Sequence, residues 1–326
     1  MKVAITSQDT CSDFLFEGEP WNSFAHSIES HGHRIVKMSE NPEVVIFNNF
    51  SRNIFRRISR EIPVNRRFLV VWEPPCNSPE NFRSENKSRF AKILFPSPIW
   101  EERFGGIGFP WPQNTKPLKI DVDWTKRIDK FCLMQANRWR FSARDRYSLR
   151  RRILETSPEY IDLYGRNWNQ GAIIDALRLL RALPDSIEER SFSLRSTYGI
   201  GATYSSYKGV ATDKLEVLQG YRYSLVIENS DEYVSEKLVD ALLARTIPVY
   251  VGANLQKFNF PENIAKVCLP TVQSIRSAMH ELQSSQEEQN QLLSNAQNFL
   301  TSDFFLSLNN KKVLSALANV ICENIS

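Results

Sequence analysis

The run Tyr221–Gly252, YRYSLVIENSDEYVSEKLVDALLARTIPVYVG, constrains the chain more than any other. Ser224–Ile227 is short, apolar and β-rich, and it leads straight into the polar trio Glu228-Asn229-Ser230. A helix is expected to open near Val234, with Glu236 and Lys237 in its first turn. A second β-rich run, Thr246–Val251, closes the unit. Strand, polar loop, helix and strand in that order make a βαβ unit. Its polar groups fall at the carboxyl end of a strand and the amino end of a helix, where α/β sheets bind ligands.

Lys237 breaks a local rule. A helix amino end carries partial positive charge, so a lysine there is unfavourable by about 0.3–1 kcal/mol. Either the side chain points to water and pairs with Glu232 or Asp240, or it waits for an anion such as a diphosphate.

The segment IENSDEYVSEKLVDALLARTIPVYVG resembles the signature of the α-1,3/4-fucosyltransferases, glycosyltransferase family 10. Members share a Phe-Glu-Asn-Ser strand end, a Tyr-Val-Thr-Glu-Lys helix start, and later Ala-Leu, Gly-Thr and Pro-Val-Val. This chain departs with Ile227 for the Phe, Ser235 for the Thr and Arg245 for the Gly. The resemblance implies a GT-B fold, two Rossmann-like domains facing across a cleft. It also implies that Asn229, Tyr233, Glu236 and Lys237 bind the nucleotide-sugar donor.

Two further segments extend the resemblance. In FLVVWEPPCNSPENF, Glu73 follows a hydrophobic strand and precedes two prolines. A carboxylate at a strand end can cap a loop, or it can accept a proton from a substrate. The resemblance implies the second role, that of the general base. In KFCLMQANRWRFSARD, Arg144 lies a short loop after a strand, where the family's arginine contacts the donor diphosphate. Ala136 stands for the usual Ser. The tract Tyr160–Arg166, YIDLYGR, also matches, with Gly165 serving a turn.

Elsewhere, strands are expected at Lys2–Thr6, His33–Met38, Glu43–Phe47, Phe68–Trp72, Phe131–Ala136, Tyr160–Leu163 and Lys266–Leu269. Helices are expected at Trp21–Glu29, Ala143–Glu155, Gly171–Ala182 and Thr212–Gln219, and from Val272 onward, with the final helix starting at Ser302 or Asp303. Strands alternating with helices imply parallel sheets. The Pro- and Gly-rich stretch Ser97–Leu118 reads as a crossover without helix or strand, and Ser191–Gly209 as a loop. The expected division is 1–120, an acceptor-side domain with the base, and 121–326, a donor-binding domain with terminal helices.

At 326 residues, 42% hydrophobic and 24% charged, the chain is long enough for two domains. A net charge of +4 suits a polyanionic small ligand and is too small to argue for nucleic acid. The arginines of NRWRFSARDRYSLRRR are the densest charge. Arg150, Arg151 and Arg152 read as a solvated helix face, with membrane-surface contact as a second possibility. The five cysteines are scattered without a CxxC spacing, which favours a reduced compartment. The first residues lack a signal-peptide core, and no apolar stretch reaches the length of about 18 residues needed to span a membrane. Animal members of the resembled family carry a Golgi anchor, so the expectation is a bacterial, cytoplasmic form. Asp121-Val122-Asp123 imitates a metal-binding Asp-x-Asp but reads as a solvated loop, and no metal requirement is expected.

The combined expectation is inverting transfer of L-fucose from GDP-fucose to a glycan hydroxyl. The alternatives are a same-fold transferase using another GDP- or NDP-sugar, and a silent nucleotide- or glycan-binding protein. A nucleic-acid binder using the arginine helix is disfavoured, because no aromatic-rich recognition motif accompanies the arginines.

Overall fold

The computed structural model describes residues 1–6, 21–118, 123–137, 146–168 and 204–325. The chain divides into two compact units, Met1–Thr115 with Asp303–Ser326, and Lys116–Ser302.

The first unit holds a six-stranded parallel sheet. Its strands are β1 (Lys2–Thr6), β2 (Arg34–Ile35), β3 (Val44–Asn48), β4 (Arg67–Val70), β5 (Lys92–Phe95) and β6 (Ile107–Gly108). The order is β2-β1-β3-β4-β5-β6, so the winding reverses between β1 and β3. Val44–Phe47 of β3 and Phe68–Val70 of β4 are continuous apolar runs because parallel strands are covered on both faces. Helices α1 (Trp21–Ser30), α2 (Arg52–Ile58), α3 (Asn86–Arg89) and α4 (Pro98–Phe104) connect them. α4 and β6 lie inside the stretch expected to hold neither. Ser97 caps the helix, its hydroxyl accepting from the Trp100 N–H, and Pro98 follows at the first helical position, where a missing N–H costs nothing. Gly105 then ends the helix at φ +68°.

The second unit also holds six parallel strands: β7 (Ile128–Met134), β8 (Ile161–Tyr164), β9 (Tyr207–Gly209), β10 (Tyr221–Ile227), β11 (Ile247–Val251) and β12 (Lys266–Val267). Their order, β12-β11-β10-β7-β8-β9, is that of a Rossmann sheet. The switch point lies between β7 and β10. The helices are α5 (Tyr147–Thr156), α6 (Lys214–Gln219), α7 (Glu236–Leu243), α8 (Val272–Ser284) and α9 (Gln286–Leu300). β9 falls within the expected loop 191–209, and the expected helix 171–182 lies outside the described residues.

The last two helices, α10 (Asp303–Ser307) and α11 (Asn310–Glu323), belong to the first unit rather than the second. On α11, Leu314, Leu317, Ala318 and Ile321 recur at helical spacing. They pack with Phe24 and Ile28 of α1 over Val3, Val44 and Phe68 of the sheet. The chain therefore returns to cover the face from which it started. No helix among the described residues is long and apolar enough to cross a membrane.

α7 ends where the sequence departs from the family pattern. Arg245 sits at φ +53°. Its N–H donates to Leu242 O at 2.9 Å, and the Thr246 N–H donates to Ala241 O at 3.0 Å. This pair of bonds is the Schellman ending, which favours glycine because a Cβ crowds the left-handed backbone. The family's glycine at this position is thereby explained, and its replacement stores strain. Arg245→Gly is expected to raise the unfolding free energy by about 1 kcal/mol, measured by denaturant titration.

Candidate functional site

The carboxyl ends of β10 and β7 meet at the switch point of the second sheet. Glu228 follows β10 and is fully buried. Its carboxylate accepts from the Ser235 N–H at 2.9 Å, and the Ser235 hydroxyl lies 2.7 and 2.9 Å from its two oxygens. The Lys237 ammonium donates to Glu228 Oε2 at 3.1 Å and to Ser235 Oγ at 2.8 Å. Lys237 thus pairs with Glu228, and not with Glu232 or Asp240 as local spacing suggested. Asp240 is instead paired with Lys214. The helix starts at Glu236 with Ser235 as its cap, two residues later than expected.

Burial works against the Lys237 charge, but Glu228 and then Glu236 outweigh it, and the lysine pKa is raised. Burial likewise pushes the Glu236 carboxyl up, while Lys237 and Lys214 overcome this and hold it below the ordinary 4.5. The Lys237 side chain remains 22% exposed while its ammonium neutralises Glu228.

The arginine helix α5 supplies the other cations. Arg150 and Arg151, expected on a solvated or membrane-facing surface, are 2% and 0% exposed. Arg150 Nη2 donates to Ile227 O at 2.7 Å and to Asn229 Oδ1 at 2.6 Å, and its guanidinium lies over the Tyr147 ring. Gln135, just past β7, donates to the same Ile227 carbonyl at 2.8 Å. Arg151 donates to Asn137 Oδ1 at 3.0 Å. These arginines are struts that tie the helix to both strand ends. Arg146, at the start of α5, is nearly buried, and its Nη1 has no hydrogen-bond partner among the described residues. From sequence, Glu228 stands out only as part of the polar trio and Arg150 only as part of a solvated face, neither with a role in the site, and Arg146 does not stand out at all. Arg144 lies outside the described residues, as does Asp121. Asp123 caps a short turn through the Thr125 N–H at 3.0 Å, and no cluster of three potential metal ligands occurs among the described residues.

Of the remaining donor-side expectations, the structure brings Asn229, Glu236 and Lys237 around Glu228, with Tyr233 2% exposed in the connecting loop. Gly165 serves more than a turn. It sits at φ +144°, and a Cβ there would lie 2.0 Å from Gln135 O.

In the first unit, Glu73 follows β4 in the order expected. Asn49, at φ +62° just past β3, accepts from the Trp72 N–H at 2.8 Å and the Glu73 N–H at 3.2 Å. Asn81 Nδ2 donates to the same oxygen at 3.1 Å. The left-handed asparagine thus fixes the backbone that carries Glu73. Asn77 Nδ2 donates to Glu73 Oε2 at 2.8 Å and orients the carboxylate. Beside it, Trp72 packs edge-on to Trp21, Phe109 and Trp111, with ring centroids 5.2–5.9 Å apart.

Comparison with known proteins adds the following. No family model matches the chain. A stretch of 49 residues, 14% of the chain, is 45% identical to a fucosyltransferase-like protein of Arabidopsis thaliana and spans 10% of that protein's length. An α1,3-fucosyltransferase structure superposes with a TM-score of 0.54 and 16% identity, over 100% of this chain and 90% of that one. Its complex with GDP-fucose gives 0.52 and 16%, over 100% and 91%. Anabaena Alr3699/HepE in complex with UDP and glucose gives 0.54 and 10%, over 92% and 81%. The fold is that of the GT-B glycosyltransferases. Within that fold the Glu228 network occupies the Rossmann switch point of the second sheet.

Two outcomes follow from the buried pair. Lys237→Met strands a carboxylate away from water and is expected to cost about 2–3 kcal/mol in denaturant titrations. Adding Glu228→Gln is expected to recover most of that loss. Glu236 gives a pH signature. Its folded pKa is depressed, so its stabilisation is present above pH 4.5 and is lost as the pH falls through the lower folded value. Glu236→Gln should therefore be less stable than the parent above pH 4.5 and indistinguishable from it in acid.

Proposed function

We propose that this protein is an inverting glycosyltransferase that moves L-fucose from GDP-fucose to a glycan hydroxyl, with an α-1,3-type linkage. The observation that carries the reading is the Tyr221–Gly252 unit, whose Glu228, Ser235 and Lys237 lock a polar loop at the sheet's switch point. Fold similarity to α1,3-fucosyltransferases supports it.

In this reading the acceptor oxygen attacks the anomeric carbon from the face opposite the leaving group. Glu73 takes the hydroxyl proton as the new C–O bond forms. The bond between the sugar and GDP breaks, and negative charge gathers on the departing diphosphate. Lys237, the amides at the start of α7 and, through the family resemblance, Arg144 meet that charge. Asn229, Tyr233 and Glu236 hold ribose and sugar hydroxyls. Cations and helix amides supply the positive field, so the reading needs no divalent ion. The aromatic faces around Trp72 suit a sugar ring of the acceptor, an N-acetylglucosamine or glucose unit.

A second reading, a transferase with another nucleotide sugar, draws on the structure in complex with UDP and glucose, which superposes as well as the fucosyltransferase does. Heat-stabilisation by GDP-fucose, GDP-mannose and UDP-glucose separates the two, and GDP-fucose is expected to stand out. Stabilisation by UDP-glucose alone would transfer the assignment to the second reading. With GDP-fucose and a panel of N-acetylglucosamine- and glucose-terminated glycans, Glu73→Gln is expected to keep donor binding and lose transfer by about 100-fold or more. Unchanged turnover removes Glu73 from its role. Donor binding without turnover in the parent marks a binding protein.

A further inference from the structure

The second sheet carries a cavity at its opposite end. It has a volume of about 450 Å³ and is lined by Trp124, Arg127, Leu242, Arg245, Leu293 and Leu300, among others. Arg127 and Thr246 directly precede β7 and β11, so the cavity lies at the amino ends of the strands. Glu228 lies at the carboxyl ends, about 20 Å away along a seven-residue strand.

Two arginines line the cavity, and neither forms an ion pair among the described residues. Arg127 is 5% exposed. Its Nη1 donates to the carbonyls of Ala244 and Arg245, each at 2.9 Å, and so closes the end of α7. Its Nε–H is buried and has no acceptor among the described residues. Burial and then the Arg245 charge lower its pKa, and Arg245, which is exposed, lines the same cavity. Arg245 forms no ion pair among the described residues. Asp123 also lines the space, but its carboxylate accepts from Thr125 and pairs with neither arginine. The Trp124 ring stacks under Arg127, 5.6 Å from the guanidinium carbon, and leucines from α7 and α9 make up the apolar wall. Finally, Arg245 keeps a left-handed backbone at a position built for glycine. Strain held beside a cavity is common at ligand sites.

We propose that this cavity is a second ligand site, for a small molecule bearing an oxyanion, carboxylate or phosphate, on an apolar body. Arg245 and the Arg127 Nε–H take the oxyanion, and Trp124 with the leucines takes the body. Arginine forks fit both oxyanions, and the volume is that of a small-molecule site. The site is independent of the donor reading, because no group in it touches the Glu228 network.

The test uses phenyl phosphate, benzoate and inorganic phosphate, with binding read by thermal melting and calorimetry on the full chain. Phenyl phosphate or benzoate is expected to raise the melting temperature of the parent, and inorganic phosphate to bind at least about 10-fold more weakly. The better of the two aromatic probes names the oxyanion. Arg245→Gly melts higher without ligand, yet is expected to lose affinity for the aromatic anion by about 10-fold or more. GDP affinity in that variant stays as in the parent, whatever its value. Equal affinities in parent and Arg245→Gly would overturn the proposal. So would the absence of binding by either aromatic probe, or inorganic phosphate matching phenyl phosphate.

Discussion

A carboxylate removed from water must be compensated where it sits, and in this protein that demand falls on Glu228. Its oxygens are met by a backbone amide, a hydroxyl and an ammonium, all contributed by Ser235 and Lys237. These two residues open α7, while Glu228 closes β10. The polar loop between them is therefore tied at both ends, and Asn229, Tyr233 and Glu236 inherit fixed positions from it. A buried pair of this kind adds little net stability. Its effect is to specify one arrangement of the loop, the fixity that the proposed donor site requires.

Arginine does comparable work through the second unit. Arg150 binds the carbonyl at the end of β10 and the Asn229 side chain, so strand, loop and α5 share one anchor. Arg127 gathers the carbonyls at the end of α7, at the other pole of the same helix. A cation at a helix carboxyl end complements the dipole, just as Glu228 complements the amino end. The helix is thus held between an anion just past the end of β10 and a cation just before β7. Arg67, Arg127 and Arg150 are buried and bonded to backbone carbonyls, so part of the cationic charge that composition counts is not on the surface.

Most of the strands were legible in the sequence because parallel strands covered on both faces leave continuous apolar runs, as at Val44–Phe47 and Leu225–Ile227. The site was legible as a polar loop between strand and helix, but its wiring was not. The rule that residues three or four apart meet on a helix points Lys237 toward Asp240, whereas its partner lies nine residues back, just past the end of a strand. Triple arginine reads as solvated by composition. Only the fold shows that Arg150 and Arg151 turn toward carbonyl and amide oxygens. The Ser97–Leu118 stretch was read from its breakers alone, although Ser97-Pro98 is also a helix-start signal. That α11 returns to the first sheet follows from packing and has no local trace.

Glu73 and Glu228 show why residue type at a strand end does not determine its task. Both carboxylates follow apolar strands of parallel sheets, and both lie in segments resembling the same family. Glu228 is wholly buried and engaged by a lysine, so its charge is fixed in an internal pair. Glu73 is only half-buried, its backbone is clamped by Asn49, and an uncharged amide, Asn77, orients its carboxylate. Proton acceptance requires a carboxylate that a substrate can reach and whose geometry does not depend on the substrate to set it. In the proposed reading, the Asn49–Asn77 frame gives Glu73 that character, while the lysine pairing keeps Glu228 in an internal pair.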